Sequence, residues 1–345
     1  MAKHYDLAVN LPLRSAVAER LRRALAHAPI DERMLAYPAP GGDPGVLDAI
    51  AGWMDRHGGH DLPDGRRLVL TLGARHALVL ALDACCSPGD ALLVESPTYH
   101  GFRAAAEARG VRTIEVAMDD DGLRPDALDD AARSSGARTL YVQPTLHNPT
   151  TRTMSIVRRR EIADVALVRG LTLIEGDVYS PLLPRSAILP PLSSLLPDRC
   201  LHAGGIGKVL GPGLRIGWLL LPDEKKRDAL ASSIARDTDG LPALLPAVVG
   251  RWLADGTADG LLDGLRGHLR ERNALARTIL GDALVTADAL HAWLPRADAE
   301  VVGERIGQAG VAVTVGRGGV RLSLAAEEDI GRLEAALRVV AAKAG

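Results

Sequence analysis

RRLVLTLGARHALVLALDACCSPGDALLVES, residues 66–96, is the stretch that decides the fold class. RRLVLTLG (66–73) is a β-run that stops at a glycine. ARHALVLALDACC (74–86) reads as a buried helix, SPGD (87–90) as a turn and ALLVES (91–96) as a second strand. The same rhythm continues outward. TYHGFRAAAEARG (98–110) is a helix closed by glycine, and VRTIEVAM (111–118) is a third strand. RTLYVQP (138–144), LTLIEGD (171–177), RCLHAG (199–204) and RIGWLLLP (215–222) read as further strands, with a helix over MSIVRRREIADVALVRG (154–170). Short apolar β-runs alternating with helices predict an α/β fold with a mostly parallel sheet covered on both faces. Beyond Asp223 the chain turns mainly helical, from EKKRDALASSIARD to HLRERNALARTILGDAL. ALHAWLP, VAVTVG, VRLSLA and a closing helix then predict a small α+β domain. The expected division is an N-terminal segment (1–35) packing with the small domain, a large domain (36–230) and a small domain (231–345).

Bulk composition sets limits. The chain has 345 residues, 47% of them hydrophobic, which is enough for a large core and more than one compact domain. Its formal net charge of -2 offers no field for a polyanion, so nucleic acid is not an expected partner. No stretch approaches the ~18 apolar residues of a membrane span, and the N-terminus lacks a signal-peptide core. Cys85, Cys86 and Cys200 read as reduced core residues, so a cytoplasmic location is expected.

Ligands of such sheets bind beyond the carboxyl ends of the strands. The residues there are Gly73-Ala74-Arg75, Ser96-Pro97-Thr98-Tyr99, Asn148-Pro149-Thr150, Asp177-Val178-Tyr179 and Lys208. Lys208 lies in HAGGIGKVLGPGLRIGW (202–218). A Walker A loop is excluded, because His202 and Val209 stand where it needs glycine and Ser or Thr. Two readings remain: a surface lysine in a glycine-rich turn, or a Schiff-base lysine whose lowered pKa lets it attack a carbonyl. Asp177 suits the carboxylate that a pyridoxal cofactor needs opposite its ring nitrogen; it equally suits a helix N-cap. Gly73-Ala74-Arg75 opens a helix directly after a strand, with free N–H groups and a dipole that favour phosphate, or is simply a turn. Arg215 can grip a phosphate bidentately or pair on the surface. Tyr99 can lie against a cofactor ring or merely pack. Asn148, in HNPT, is no glycosylation acceptor; its amide suits a ring hydroxyl or a turn before proline.

Taken in order along the chain, the stretches NLP (10–12), YPAPGG (37–42), LTLGARHAL (70–78), VESPTYHGF (94–102), QPTLHNPTTRTMSIVRRREIA (143–163), EGDVYSPLL (175–183), GKVLGPGLRIGW (207–218), RWLADG (251–256) and VRLSLA (320–325) resemble fold-type-I PLP-dependent aminotransferases. The nearest branch looks like the aminotransferase domain of MocR-type proteins and the related 2-aminoadipate aminotransferase group. The resemblance implies a seven-stranded, mostly parallel sheet in the large domain. It also implies pyridoxal 5'-phosphate as cofactor and a homodimer with shared active sites. Lys208 matches the Schiff-base lysine that then shuttles a proton. Asp177 matches the partner of the pyridine nitrogen, and Tyr179 with Asn148 the pair on the ring 3-hydroxyl. Tyr99 matches the stacking aromatic; Gly73, Ala74, Arg75 and Arg215 match the phosphate cradle. Tyr37 resembles a tyrosine reaching the phosphate from the other subunit. Arg321 looks like the arginine on the substrate's α-carboxylate, with Asn148 and Asn10 as further substrate contacts.

Three departures accompany the resemblance. Gly205 and Gly207 replace serines whose hydroxyls face the phosphate in relatives, and Arg75 replaces a glutamine. Arg75 is expected to offset the missing hydroxyls with a charge-assisted contact; the rival expectation is that the glycines open the site for a larger substrate or unusual reaction. The chain starts almost at NLP, so the winged-helix DNA-binding module of MocR-type regulators is expected to be missing. TVGRGG (314–319) is shorter than the loop that shapes the substrate site in relatives. The expected activity is amino transfer between an α-amino acid and a 2-oxo acid. A non-transaminating PLP reaction (elimination, replacement or cyclisation) and a silent PLP- or amino-acid-sensing module are the alternatives.

Overall fold

The structure, a computed structural model, describes residues 4–28, 30 and 32–344. Eight strands form the main sheet: β2 (Leu68–Thr71), β3 (Ala91–Ser96), β4 (Arg112–Asp119), β5 (Gly122–Leu123), β6 (Thr139–Val142), β7 (Thr172–Asp177), β8 (Cys200–Gly205) and β9 (Gly217–Leu220), β1 (Tyr5–Asp6) lying apart. Their order is β2-β9-β8-β7-β6-β3-β4-β5. Strands β8, β7, β6, β3 and β4 run parallel; β9 is antiparallel to both β2 and β8, and β5 to β4. The resemblance implied seven strands. The eighth, β5, is a two-residue return (Met118 opposite Leu123) too short to carry a hydrophobic alternation.

Alternation along the strands explains why both faces are covered. Leu92, Val94, Tyr141 and Ile174 join one apolar core, and their sequence neighbours Leu93, Leu140, Val142 and Leu173 join a second on the opposite face. The first core lies under helices Pro44–Gly58 and Ala74–Cys85, the second under Pro125–Ser135 and Ile156–Arg169. A third core is built on β10 (His291–Pro295), β12 (Thr314–Gly316) and β13 (Gly319–Ser323), paired antiparallel with β13 in the middle. Tyr5 and Leu7 pack into it, and β1 pairs in parallel with β11 (Val311–Ala312). The N-terminal segment is thereby held against the C-terminal strands, and residues 8–11 are delivered to the edge of the main sheet. No helix among the described residues is long and apolar enough to cross a membrane.

Candidate active site

The carboxyl ends of β2, β3, β6, β7 and β8 converge on a cavity of about 550 Å³. Because β9 runs antiparallel, its amino end, with Arg215, arrives at the same edge. Gly73, Ala74, Arg75, Tyr99, Asn148, Tyr179, Lys208, Arg215, Arg321 and Asn10 all line this cavity. Residues from both ends of the sequence are thus brought to one site by strand ends.

Lys208 closes a single 3₁₀ turn, Ile206–Lys208, directly after β8. Its Nζ donates to the backbone oxygen of Asn10 at 2.6 Å and stands 5.8 Å from the centre of the Tyr179 ring. Burial, with help from the Arg321 charge, pushes the amine down to about 8. This is not the surface lysine of the plainer reading. A Cβ on Gly205 would lie 3.1 Å from the Ala74 nitrogen and 3.2 Å from the Ile216 oxygen; one on Gly207 would lie 3.2 Å from the Pro212 Cα. The backbone beside Lys208 is therefore closely packed around both glycines, and a Cβ at either would need its neighbours to give by a few tenths of an ångström.

At one end of the cavity the geometry suits an anion. Helix Ala74–Cys85 has no side-chain cap, because its N-cap is Gly73 at φ 79°. The first two helical N–H groups, of Ala74 and Arg75, find no acceptor among the described residues. Arg215 adopts a left-handed conformation (φ 55°) that places its guanidinium 3.3 Å from where a Gly73 Cβ would be. There it donates to the Leu72 oxygen. Arg75 is exposed and makes no hydrogen bond or ion pair with the described residues. Two free N–H groups, a helix N-terminus and two guanidinium groups make an anion site.

The middle of the cavity carries the ring-sized contacts. Tyr179 is buried, its phenol pushed up to about 12 by burial, so it stays a neutral hydroxyl. Its oxygen accepts from Asn10 Nδ2 at 2.9 Å. Asn148, buried after β6, accepts at Oδ1 from Arg321 at 2.9 Å. Tyr99 is half-buried at the N-cap of helix His100–Glu107. Asp177, the last residue of β7, is buried beside the lining residues Gly176 and Val178 without itself facing the cavity. Its Oδ1 accepts from Tyr179 N at 3.2 Å and Ser180 N at 3.0 Å. One carboxylate oxygen of Asp177 thus closes the turn after β7, while the 3₁₀ turn Ser180–Leu182 has Tyr179 as its N-cap and no side-chain cap bond.

Arg321, on β13, bounds the other end. It donates to Asn148 Oδ1, to Thr314 Oγ1 at 3.0 Å and to the Ala8 oxygen, while its buried Nε has no partner. Tyr37 is not brought to this site. It is 84% exposed and lines a separate cavity of about 510 Å³ with Met34, Pro38 and Leu70. The residue that sequence reasoning missed is His291, fully buried at the start of β10 and 3.0 Å from Asn10 Nδ2. ALHAWLP declares a strand, but alternation cannot separate a buried histidine from a buried apolar residue.

The chain belongs to the aminotransferase class I and II family, whose model matches residues 3–291. It is 30% identical over 202 residues to the uncharacterised HTH-type transcriptional regulator YdeF of Bacillus subtilis (strain 168), covering 59% of this chain and 43% of that protein. It is 30% identical over 273 residues to the L-tyrosine:2-oxoglutarate aminotransferase atrD of Tapinella panuoides, covering 69% of this chain and 51% of that one. The chain spans about half the length of these curated relatives or less. Its fold matches LysN, the alpha-aminoadipate aminotransferase of Thermus thermophilus solved with N-(5'-phosphopyridoxyl)-L-leucine, at a TM-score of 0.84. That match has 22% identity and covers 99% of this chain and 92% of LysN. The fold is thus that of fold-type-I PLP aminotransferases.

Proposed function

We propose that the protein is a pyridoxal 5'-phosphate-dependent aminotransferase, moving an amino group between an α-amino acid and a 2-oxo acid. The observation that carries this is the half-buried Lys208 amine, pushed to about 8, inside a cavity with an anion site at one end and Arg321 at the other. The lining fits the cofactor. It carries Arg75, Lys208, Arg215 and Arg321 and no carboxylate, which suits a phosphate and a substrate carboxylate. The unacceptored N–H groups of Ala74 and Arg75 and the orphaned Arg321 Nε are donors that such a ligand pair would satisfy.

When bound, the cofactor supplies an aldehyde for the Lys208 amine and a ring that draws electrons from the substrate Cα. Every other part is played by the chain. Ala74, Arg75 and Arg215 bind the phosphate. Asp177, buried directly beside the lining residues Gly176 and Val178, would hold a proton at the ring nitrogen by turning its remaining carboxylate oxygen toward the cavity. Tyr179 and Asn148 orient the ring oxygen, and Tyr99 covers the ring face. Arg321 orients the substrate carboxylate, exchanging its Asn148 and Thr314 partners for a planar match. Lys208 Nζ, half deprotonated near pH 8, would take the substrate Cα proton and return it on the far side of the amino nitrogen.

The partner contacts extend this reading. Ile30, Leu35 and Tyr37 are 59%, 82% and 84% exposed, and this exposed apolar surface supports a homodimer in which Tyr37 serves the partner's phosphate site. A cytoplasmic location accords with three free cysteines. Of the domain divisions, the large–small boundary is proposed to lie within helix Thr257–Leu280 rather than at 230/231. Leu262, Leu265 and Leu269 pack into the first core and Ala276 into the third.

The test is incubation of the cofactor-loaded protein with one amino acid and no oxo acid. Stoichiometric conversion to the pyridoxamine form with release of one oxo acid per site is expected. Continued turnover without an acceptor would replace transamination with elimination or a related reaction.

A further inference from the structure

His291 is a buried group beside the cavity that the chemistry above leaves unused, and its surroundings fix its state. Nε2 lies 3.2 Å from the His147 backbone oxygen. A carbonyl oxygen only accepts, so Nε2 carries hydrogen. Burial, with the Arg321 charge, holds the ring down to about 3, so it is neutral and Nδ1 is an acceptor. Nδ1 is 3.0 Å from Asn10 Nδ2, which therefore donates to it. The second Nδ2 hydrogen goes to the Tyr179 oxygen at 2.9 Å. Both amide donors of Asn10 are then spent, and the carboxamide is held this way round even though its buried Oδ1 finds no partner. Flipped, Oδ1 would meet the Nδ1 lone pair.

The consequence reaches two groups at once. A phenol that accepts from Asn10 keeps its own hydrogen to give away, and becomes a better donor for accepting. The backbone oxygen of the same Asn10 receives Lys208 Nζ. We propose that His291 is a positioning residue: by accepting from Asn10 it locks that carboxamide, keeps the Tyr179 hydroxyl turned to donate to the cofactor ring oxygen, and steadies the carbonyl beside Lys208. The proposal rests on the pyridoxal-phosphate reading of the site. It also gives the C-terminal strands a part in the chemistry, because β10 is the element that brings His291 to the large sheet's edge.

Two substitutions divide the ring's two contacts. In His291→Asn the side-chain oxygen reaches the place of Nδ1 and keeps the acceptor for Asn10. In His291→Gln the side-chain nitrogen reaches the place of Nε2 and keeps the donor to His147 while losing that acceptor. The readout is a pH titration of visible absorbance in the cofactor-loaded protein, whose midpoint reports loss of the proton held at Lys208 Nζ. Weaker donation from Tyr179 leaves more negative charge on the ring oxygen, which grips that proton harder. H291Q is expected to raise the midpoint by about one pH unit, the worth of one hydrogen bond. H291N is expected to keep the wild-type midpoint. Asn10→Ala must reproduce the rise, and H291Q must add nothing further in that background. An unshifted midpoint in H291Q, or in N10A, overturns the role of His291 while the function stands. A wild-type protein that takes up no cofactor overturns both.

Discussion

The two ends of the cavity are built differently. The anion end is made from residues directly at strand ends: Gly73-Ala74-Arg75 after β2, Lys208 after β8 and Arg215 before β9. The Arg321 end is assembled from remote pieces: Ala8 and Asn10 of the N-terminal segment, Asn148 after β6, His291 on β10 and Arg321 on β13. The first end is local chemistry on a rigid sheet. The second exists only while the N-terminal segment and the C-terminal strands are seated against the sheet edge. Damage at the first end should therefore appear as lost cofactor, and damage at the second as weaker substrate handling or a shifted proton at Lys208 on a protein that still loads.

The largest expected effect is at the junction of the two ends. Lys208→Ala should lower kcat by ~10³-fold or more, since it removes both the covalent tether and the proton carrier. Single-turnover kinetics on the reconstituted variant checks this; retention of more than a tenth of the rate would mean that another base serves. Next, Arg321→Leu should raise KM for the amino acid ~10- to 100-fold, the worth of a charge-assisted hydrogen-bond pair, with cofactor binding unchanged. A KM unchanged alongside a weakened cofactor would erase the distinction between the ends. The smallest expected effect is that of Arg75→Gln. One of several phosphate donors is lost, so cofactor Kd should rise ~3- to 10-fold with KM unaltered. An unchanged Kd would show that the free N–H groups and Arg215 suffice, and that Arg75 compensates for nothing.

The same contrast explains how much could be read in advance. The parallel sheet was visible because Leu92–Val94 and Leu173–Ile174 lie in strands buried on both faces, which gives unbroken apolar runs. Lys208, Asp177 and Arg215 were visible because each abuts such a run. Asp177 was legible as a residue, with both a turn-closing and a ring-nitrogen reading, and the structure shows its bonds to Tyr179 N and Ser180 N. β5 left no signal because two residues have no period. His291 was hidden for a different reason: its role depends on Asn10, 281 positions away, and on which ring nitrogen faces the His147 carbonyl. Tyr37 was read as a group for another subunit, and its exposure gives it no task within its own chain.

The account stands on the Lys208 amine. The chain has five lysines, at positions 3, 208, 225, 226 and 343; of those described, Lys208 is half-buried and the other three are exposed. The most direct measurement is peptide mapping by mass spectrometry after pyridoxal phosphate is added to cofactor-free protein and trapped with borohydride at a series of pH values. The adduct should map to the peptide containing Lys208 at one per chain. Its initial rate should climb as pH rises through about 8, because the neutral amine is the nucleophile and burial lowers its pKa from the ordinary 10.5. Labelling spread over the other lysines, or a Lys208 rate that climbs only toward pH 10.5, would contradict the account.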